Sequence, residues 1–198
     1  MKSNIFLSLT LLLWIFTSCS KNEEMQTKSV DGVTNINKQA ILQILSTPDK
    51  ESQKTMYRAL NNYEKNDIWK QKFDDYLLNK QLTLEQNDFI KSIANQLSPQ
   101  LFVDGSTQSS LLNEKEIKEN AIKLFGVNEA ALIFADLSLS SNNRTASLQS
   151  GACKCSTGSD WCATYMTCQQ LTPCEPQDGC GLLWQHRCNG ICSTEAES

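Results

Sequence analysis

Eight of the nine cysteines in this chain lie between Cys153 and Cys192, and the ninth, Cys19, stands alone near the N-terminus. A segment of about 40 residues seldom buries enough apolar surface to hold a shape, and usually needs disulfides, a metal or oligomerisation. The even set therefore predicts a cross-linked C-terminal domain, and the odd residue is expected to serve a different chemistry.

Cys19 follows an apolar run from Ile5 to Phe16 that is interrupted only by Ser8 and Thr10 and preceded by Lys2. The run falls short of the ~20 apolar residues of a spanning helix and matches the core of a signal peptide. Phe16-Thr17-Ser18-Cys19 resembles a bacterial lipobox, in which small residues precede a cysteine that is acylated and becomes the new N-terminus; Phe16 stands where Leu is more usual. Residues 1–18 are read as a lipoprotein signal peptide, Cys19 as the lipid-bearing residue, and the bilayer as the partner that the acylated terminus enters. The competing reading is an ordinary signal peptide with an incidental Cys19. Ser20-Lys21-Asn22-Glu23-Glu24 resembles lysine-plus-acid signals that send some bacterial lipoproteins to the outer cell surface, although a solvated tether has the same composition. The expected location is the outer membrane, exposed at its surface, with residues 19–36 as a polar tether.

Residues 37–137 carry helical periodicity and predict an α-helical domain of five or six short helices. Thr47-Pro48-Asp49 offers a cap, a proline for the first turn and an early acid. Trp69, Phe73, Tyr76 and Leu77 recur at the spacing of one buried helix face. Thr83 and Gln86 have capping-box form, Pro99 is expected to close the helix that follows, Asn113 with Glu116 opens another, and Gly126 suits its end. These signals predict a domain that folds without the cysteine-rich segment. The domain has no histidine and no cysteine, its aromatics sit at core spacing, and no catalytic constellation is visible. The chain is read as a non-enzyme. Its net charge of −4 offers no basic surplus, and no nucleic acid is expected as a partner.

Residues 138–151 turn to Ser, Asn, Thr and Gln and read as a linker open to proteolysis. Beyond it lie Cys153, Cys155, Cys162, Cys168, Cys174, Cys180, Cys188 and Cys192 in a small, loop-rich domain spanning 152–193. Structural zinc favours C-x₂₋₄-C pairs, and the set lacks C-x-x-C. Cys188, Cys192 and His186 would leave most cysteines unused, so four disulfides are expected and no metal or other cofactor. Their connectivity is open among 105 arrangements. Cys153 and Cys155 need different partners, because a C-x-C bridge closes a strained ring. Trp161, Tyr165 and Cys168 would share a face if Asp160 capped a short helix. Asp178-Gly179 and Asn189-Gly190 read as turns.

The string Gly151-Ala152-Cys153-Lys154-Cys155-Ser156-Thr157-Gly158-Ser159-Asp160-Trp161-Cys162, with the six-residue steps to Cys168 and Cys174, then Gly179-Cys180-Gly181, Trp184 and Cys188-Asn189-Gly190, resembles the bacteriocin fulvocin C-related family. The likeness covers residues 151–192. It departs at His186, which stands where the family pattern has a cysteine, while Cys192 appears just beyond. The resemblance implies an antimicrobial, bacteriocin-like domain acting on the envelope of competing bacteria, with Trp161, Tyr165 and Trp184 as candidate membrane or target contacts. Alternatively these rings form the segment's small core, and the domain is a non-killing binding or structural module on a surface lipoprotein.

Labelled palmitate should enter the wild-type chain in its bacterial host and vanish with Cys19→Ala. Equal labelling of both would refute the lipobox.

Overall fold

Among the described residues six helices form: α1 (Lys38–Ser46), α2 (Lys50–Arg58), α3 (Asn62–Asn79), α4 (Leu84–Ala94), α5 (Glu114–Phe125) and α6 (Val127–Phe134), with side-chain caps at the starts of α2 to α5. The structure, a computed structural model, describes residues 38–103, 112–139, 152–163, 165–170 and 174–194. The signal peptide, Cys19, the tether and linker residues 140–151 lie outside the described residues.

Thr83 and Gln86 form the expected reciprocal capping box at α4, and a second box, Asn61 with Glu64, starts α3. At α2 the cap is Asp49, whose carboxylate accepts from the Ser52 amide at 2.8 Å; Pro48 precedes the cap instead of entering the first turn. Asn113 caps α5, and Gly126, at φ 75°, both ends α5 and starts α6. The expectation for Pro99 is corrected. Helix α4 stops at Ala94, and the proline opens a separate 3₁₀ turn, Pro99–Phe102, suited to it because its missing N–H would be unpaired in a first turn anyway.

Helix α3 is the central element, packed against α1, α4 and the Pro99–Phe102 turn. Ile68, Trp69 and Phe73 on its inner face are fully buried. Phe73 meets Phe134 of α6 at 5.7 Å between ring centroids, and Phe89 of α4 meets the same ring at 5.8 Å. The stripe expected from Trp69, Phe73 and Tyr76 thus forms the core, with Leu77 at its margin.

The C-terminal segment forms two short antiparallel ladders. Strand β1 (Thr167–Gln169) pairs with β4 (Ile191–Ser193), and β2 (Gln177–Cys180) pairs with β3 (His186–Cys188). Asp178-Gly179 lies within β2 at a bulge and does not make the predicted turn. Among the described residues no helix directly follows Asp160, so the condition for Trp161, Tyr165 and Cys168 to share a helix face is not met. The Asp160 carboxylate instead accepts from the amides of Cys162 and Cys168 at 2.8 and 3.1 Å, pinning an irregular loop to the start of β1. A local side-chain bond of this kind competes with helix for the same backbone groups.

The helices and the cysteine-rich segment share one core. Residues 33–198 form one compact unit, and Leu182, Leu183 and Trp184, at the end of the β2–β3 hairpin, belong to the same apolar core as Trp69 and Phe73. The tertiary structure pools apolar groups that are more than 100 residues apart in sequence, which no local pattern records.

This shared core predicts that reducing the disulfides destabilises the helices. The helical circular dichroism of the reduced chain should melt at a lower temperature than that of the oxidised chain. Coincident melts would show two independent folding units.

Candidate functional site: the disulfide module and its helical cradle

Four disulfides close the C-terminal module: Cys153–Cys174, Cys155–Cys168, Cys162–Cys192 and Cys180–Cys188. All eight expected cysteines are used, Cys153 and Cys155 have different partners, and the Cα separations of 4.9–5.8 Å are those ordinary bridges need. No bridge leaves the module. Each contributes roughly 2–4 kcal/mol in the loop-entropy picture, the 30-residue loop more than the 8-residue one.

Backbone pairing explains part of this connectivity. The β1–β4 register sets Cys168 opposite Cys192. Their bridges to Cys155 and Cys162 therefore lie side by side, with the sulfurs of Cys155, Cys162 and Cys192 all within 4.8 Å of one another. These are the atoms with the spacing to hold a metal, but the disulfides already consume them. Cys153, Cys180 and Cys188 form a second buried cluster, so much of the module's own interior is cystine. Gly190 has to be glycine here, since a Cβ would come within 2.5 Å of the Gln169 carbonyl and 2.8 Å of the Cys168 sulfur. His186 is the cross-strand partner of Cys180, and Cys162 is bridged to Cys192.

The Cys180–Cys188 bridge ties the base of the hairpin whose tip is Leu182–Leu183–Trp184. Gly181 precedes it at φ 73°, and a Cβ there would lie 2.6 Å from Ser159. Leu183 and Trp184 both occupy the left-handed region, at φ 52° and 54°. Such backbone costs about 1–3 kcal/mol per residue and persists only where the surroundings compensate. The compensation is burial. Leu182 and Leu183 are fully buried and Trp184 is 3% exposed.

The cradle for this tip comes from α2, α3 and the end of α6. The Trp184 ring meets Tyr57 edge-on at 5.2 Å and Trp69 at 6.4 Å, and its indole N–H donates to the Ala135 carbonyl at 2.9 Å. Trp69 donates to the Tyr57 hydroxyl, which donates to the Leu183 carbonyl at 3.3 Å. Burial pushes the Tyr57 phenol well above its usual range, despite the Trp69 hydrogen bond acting the other way, so it remains a donor. At the rim His186 Nε2 lies 2.7 Å from Glu114 Oε1, Lys118 donates to the Asp160 carbonyl, and Arg58 donates to Gln177.

Of the three aromatic contacts expected at a membrane or target, Trp184 is therefore not at the surface of the intact chain. The expectation considered only the module's small core and did not include the helices. Trp161 is half-buried against Phe134, at 6.3 Å between centroids. Tyr165 is 75% exposed.

Two lysines, Lys54 and Lys72, are buried, which no local pattern in the sequence marks. Lys54 of α2 is 1% exposed, its Nζ 3.7 Å from the Cys188 sulfur and 3.6 Å from Glu51. Burial, then the charge of Lys50, lower its pKa to about 8, and Glu51 offsets part of this. Lys72 of α3 donates to the Ser138 carbonyl at 2.7 Å. Near it Asp136 holds Lys50 at 3.1 Å and accepts from the Ser138 amide at 2.8 Å. Burial alone would raise the Asp136 pKa, but the Lys50 ammonium, the Ser138 amide and Lys72 outweigh it and hold the carboxyl at about 2.

Between pH 8 and about 10 the unfolded chain keeps a proton on Lys54 that the folded chain has lost, so stability should rise with pH across that window. Tyr57 opposes this only above pH ~10, where the unfolded phenol ionises. Lys54→Met should flatten the rise in denaturant unfolding. Equal slopes for both proteins would contradict the assignment.

No helix among the described residues is long and apolar enough to cross a membrane. Comparison of the chain with protein-family models, with curated proteins and with solved structures returns no match.

Proposed function

We propose that this chain is an exported, lipid-anchored bacterial envelope protein whose disulfide-stapled C-terminal module is a bacteriocin-like, non-enzymatic effector against competing cells. The observation that carries the reading is the closed bridge pattern. Four disulfides all lie within Cys153–Cys192 and none reaches the helices, so one backbone cut between Leu139 and Ala152 would leave no covalent link between module and helices and every cross-link intact. Four disulfides also suit an oxidising compartment outside the cytoplasm. The Cys153-Lys154-Cys155-Ser156-Thr157 string and its spacing to Cys162 supply the likeness to the fulvocin C-related family. The anchor rests on Cys19, and the outer-membrane location on the residues that follow it.

The burial of Leu182, Leu183 and Trp184 in the helical core favours a second reading, in which the module is a binding or structural part of one surface-displayed unit and kills nothing.

Purified residues 152–198, oxidised with four bridges verified by mass, should inhibit growth of some related bacterium, and reduction should abolish the effect. An unstapled chain must lose its conformational freedom at the moment of binding. An oxidised module inert across a broad panel, yet retained on cell surfaces, would establish the second reading.

A further inference from the structure

We propose that the neighbouring bridges Cys155–Cys168 and Cys162–Cys192 form a thiol–disulfide exchange site, which takes a small thiolate from solution at a partly exposed sulfur and converts to a second pairing, Cys155–Cys162 with Cys168–Cys192. The site goes beyond the effector reading and stands without it.

The sulfurs are placed for transfer from one bridge to the other. Those of Cys155, Cys162 and Cys192 lie within 4.8 Å of one another, so the Cys155 sulfur faces both ends of the neighbouring bridge. Each of the two bridges joins a buried residue, Cys155 or Cys162, to a partly exposed one, Cys168 or Cys192. A solution thiolate meets the outer residue of a bridge, and the thiolate it displaces is the inner one, already beside the second bridge. The Cys180–Cys188 bridge has both of its residues buried, and Cys153 is fully buried, which shields them from the same attack.

Hydrogen bonds hold the four residues together independently of their sulfurs. The β1–β4 ladder sets Cys168 opposite Cys192, and opposite residues of an antiparallel pair stand about 4.5–5.5 Å apart at Cα, within the reach of a disulfide. Cys155 and Gly190 exchange backbone bonds in both directions, each at 3.1 Å, which fixes Cys155 two residues from Cys192. The Ser159 amide donates to the Ser156 carbonyl at 3.3 Å, in a turn that folds back the chain between Cys155 and Cys162. The Asp160 carboxylate ties the Cys162 and Cys168 amides together. The exchange balances without net oxidation. An incoming thiolate bonds to the Cys168 sulfur and breaks Cys155–Cys168, the electron pair leaving on Cys155. The Cys155 thiolate bonds to Cys162 and displaces Cys192. The Cys192 thiolate bonds to Cys168 and expels the original thiolate, so four bridges remain.

The test uses residues 33–198, the compact unit, which holds the eight cysteines of the module and not Cys19. The protein, its four bridges verified by mass, is incubated with reduced glutathione at mildly alkaline pH without oxygen, quenched with acid, and its cross-linked peptides are mapped by fragmentation. Cys155–Cys162 and Cys168–Cys192 should appear beside the original pairs while Cys153–Cys174 and Cys180–Cys188 stay as they are, and a glutathione adduct on Cys168 should rise and then fall as the new pairs grow. Recovery of the original pairs alone overturns the proposal, and so does scrambling across all four bridges. Cys192→Ser checks the central transfer with no added thiol. The Cys162 thiol, left beside Cys155, should displace Cys168, so that Cys155–Cys162 is found in about a tenth of the chains or more, with the free thiol at Cys168. A variant that keeps the helical circular dichroism of the wild type and holds its free thiol at Cys162 in every chain overturns the proposal as well. Should Cys192→Ser fail to fold, the glutathione experiment on the wild type decides by itself.

Discussion

The insertion of Trp184 between Tyr57 and Trp69 joins a helical segment and a cystine-rich one into one fold. Its ring completes the aromatic core of α2 and α3, and its N–H satisfies the Ala135 carbonyl just past the end of α6, a group that would otherwise be an orphan of the helix terminus. The Trp69–Tyr57–Leu183 relay then fixes the backbone of the tip from the opposite side. Each donor in this cluster has a partner within the protein, which is the condition for burying two tryptophans and a tyrosine without a desolvation penalty.

The two halves solve the stability problem differently. The helices bury a conventional apolar core, whereas much of the module's interior is cystine and its best apolar residues are placed in the neighbour's core. That division accounts for the left-handed backbone at Leu183 and Trp184, strain that a fully buried tip offsets. It also places charges where none would be expected. Lys54 packs under the hairpin beside Cys188, and Asp136, Lys50 and Lys72 gather around Ser138 just after the last helix, a network in which opposite charges and backbone groups share the cost of burial.

Much of the helical part was legible because its signals are local. The Thr83–Gln86 box, the Asn113 cap, the Gly126 stop and the α3 stripe each involve residues within a turn or two, and they form as expected. The misreadings also have local causes. Pro99 is as compatible with the start of a 3₁₀ turn as with a helix end, and Asp160 caps neighbouring amides of a loop as readily as a helix N-terminus. Trp184 was misplaced because its partners, Tyr57 and Trp69, are far away in sequence.

The amino-acid sequence by itself determined the element types and the fact of cross-linking. Cap chemistry and a 3.6-residue period specify helices without distant help, and an even set of cysteines in so short a segment demands bridges. The excluded Cys153–Cys155 pairing followed from covalent reach alone. Only the tertiary structure decided which sulfurs meet, because that depends on strand register, and which side chains are hidden, because burial is a property of two surfaces together. Cys168 opposite Cys192, Lys54 beneath the hairpin and Trp184 in the helical core are all outcomes of long-range packing, whose residues carry no mark of their partners until the chain has folded.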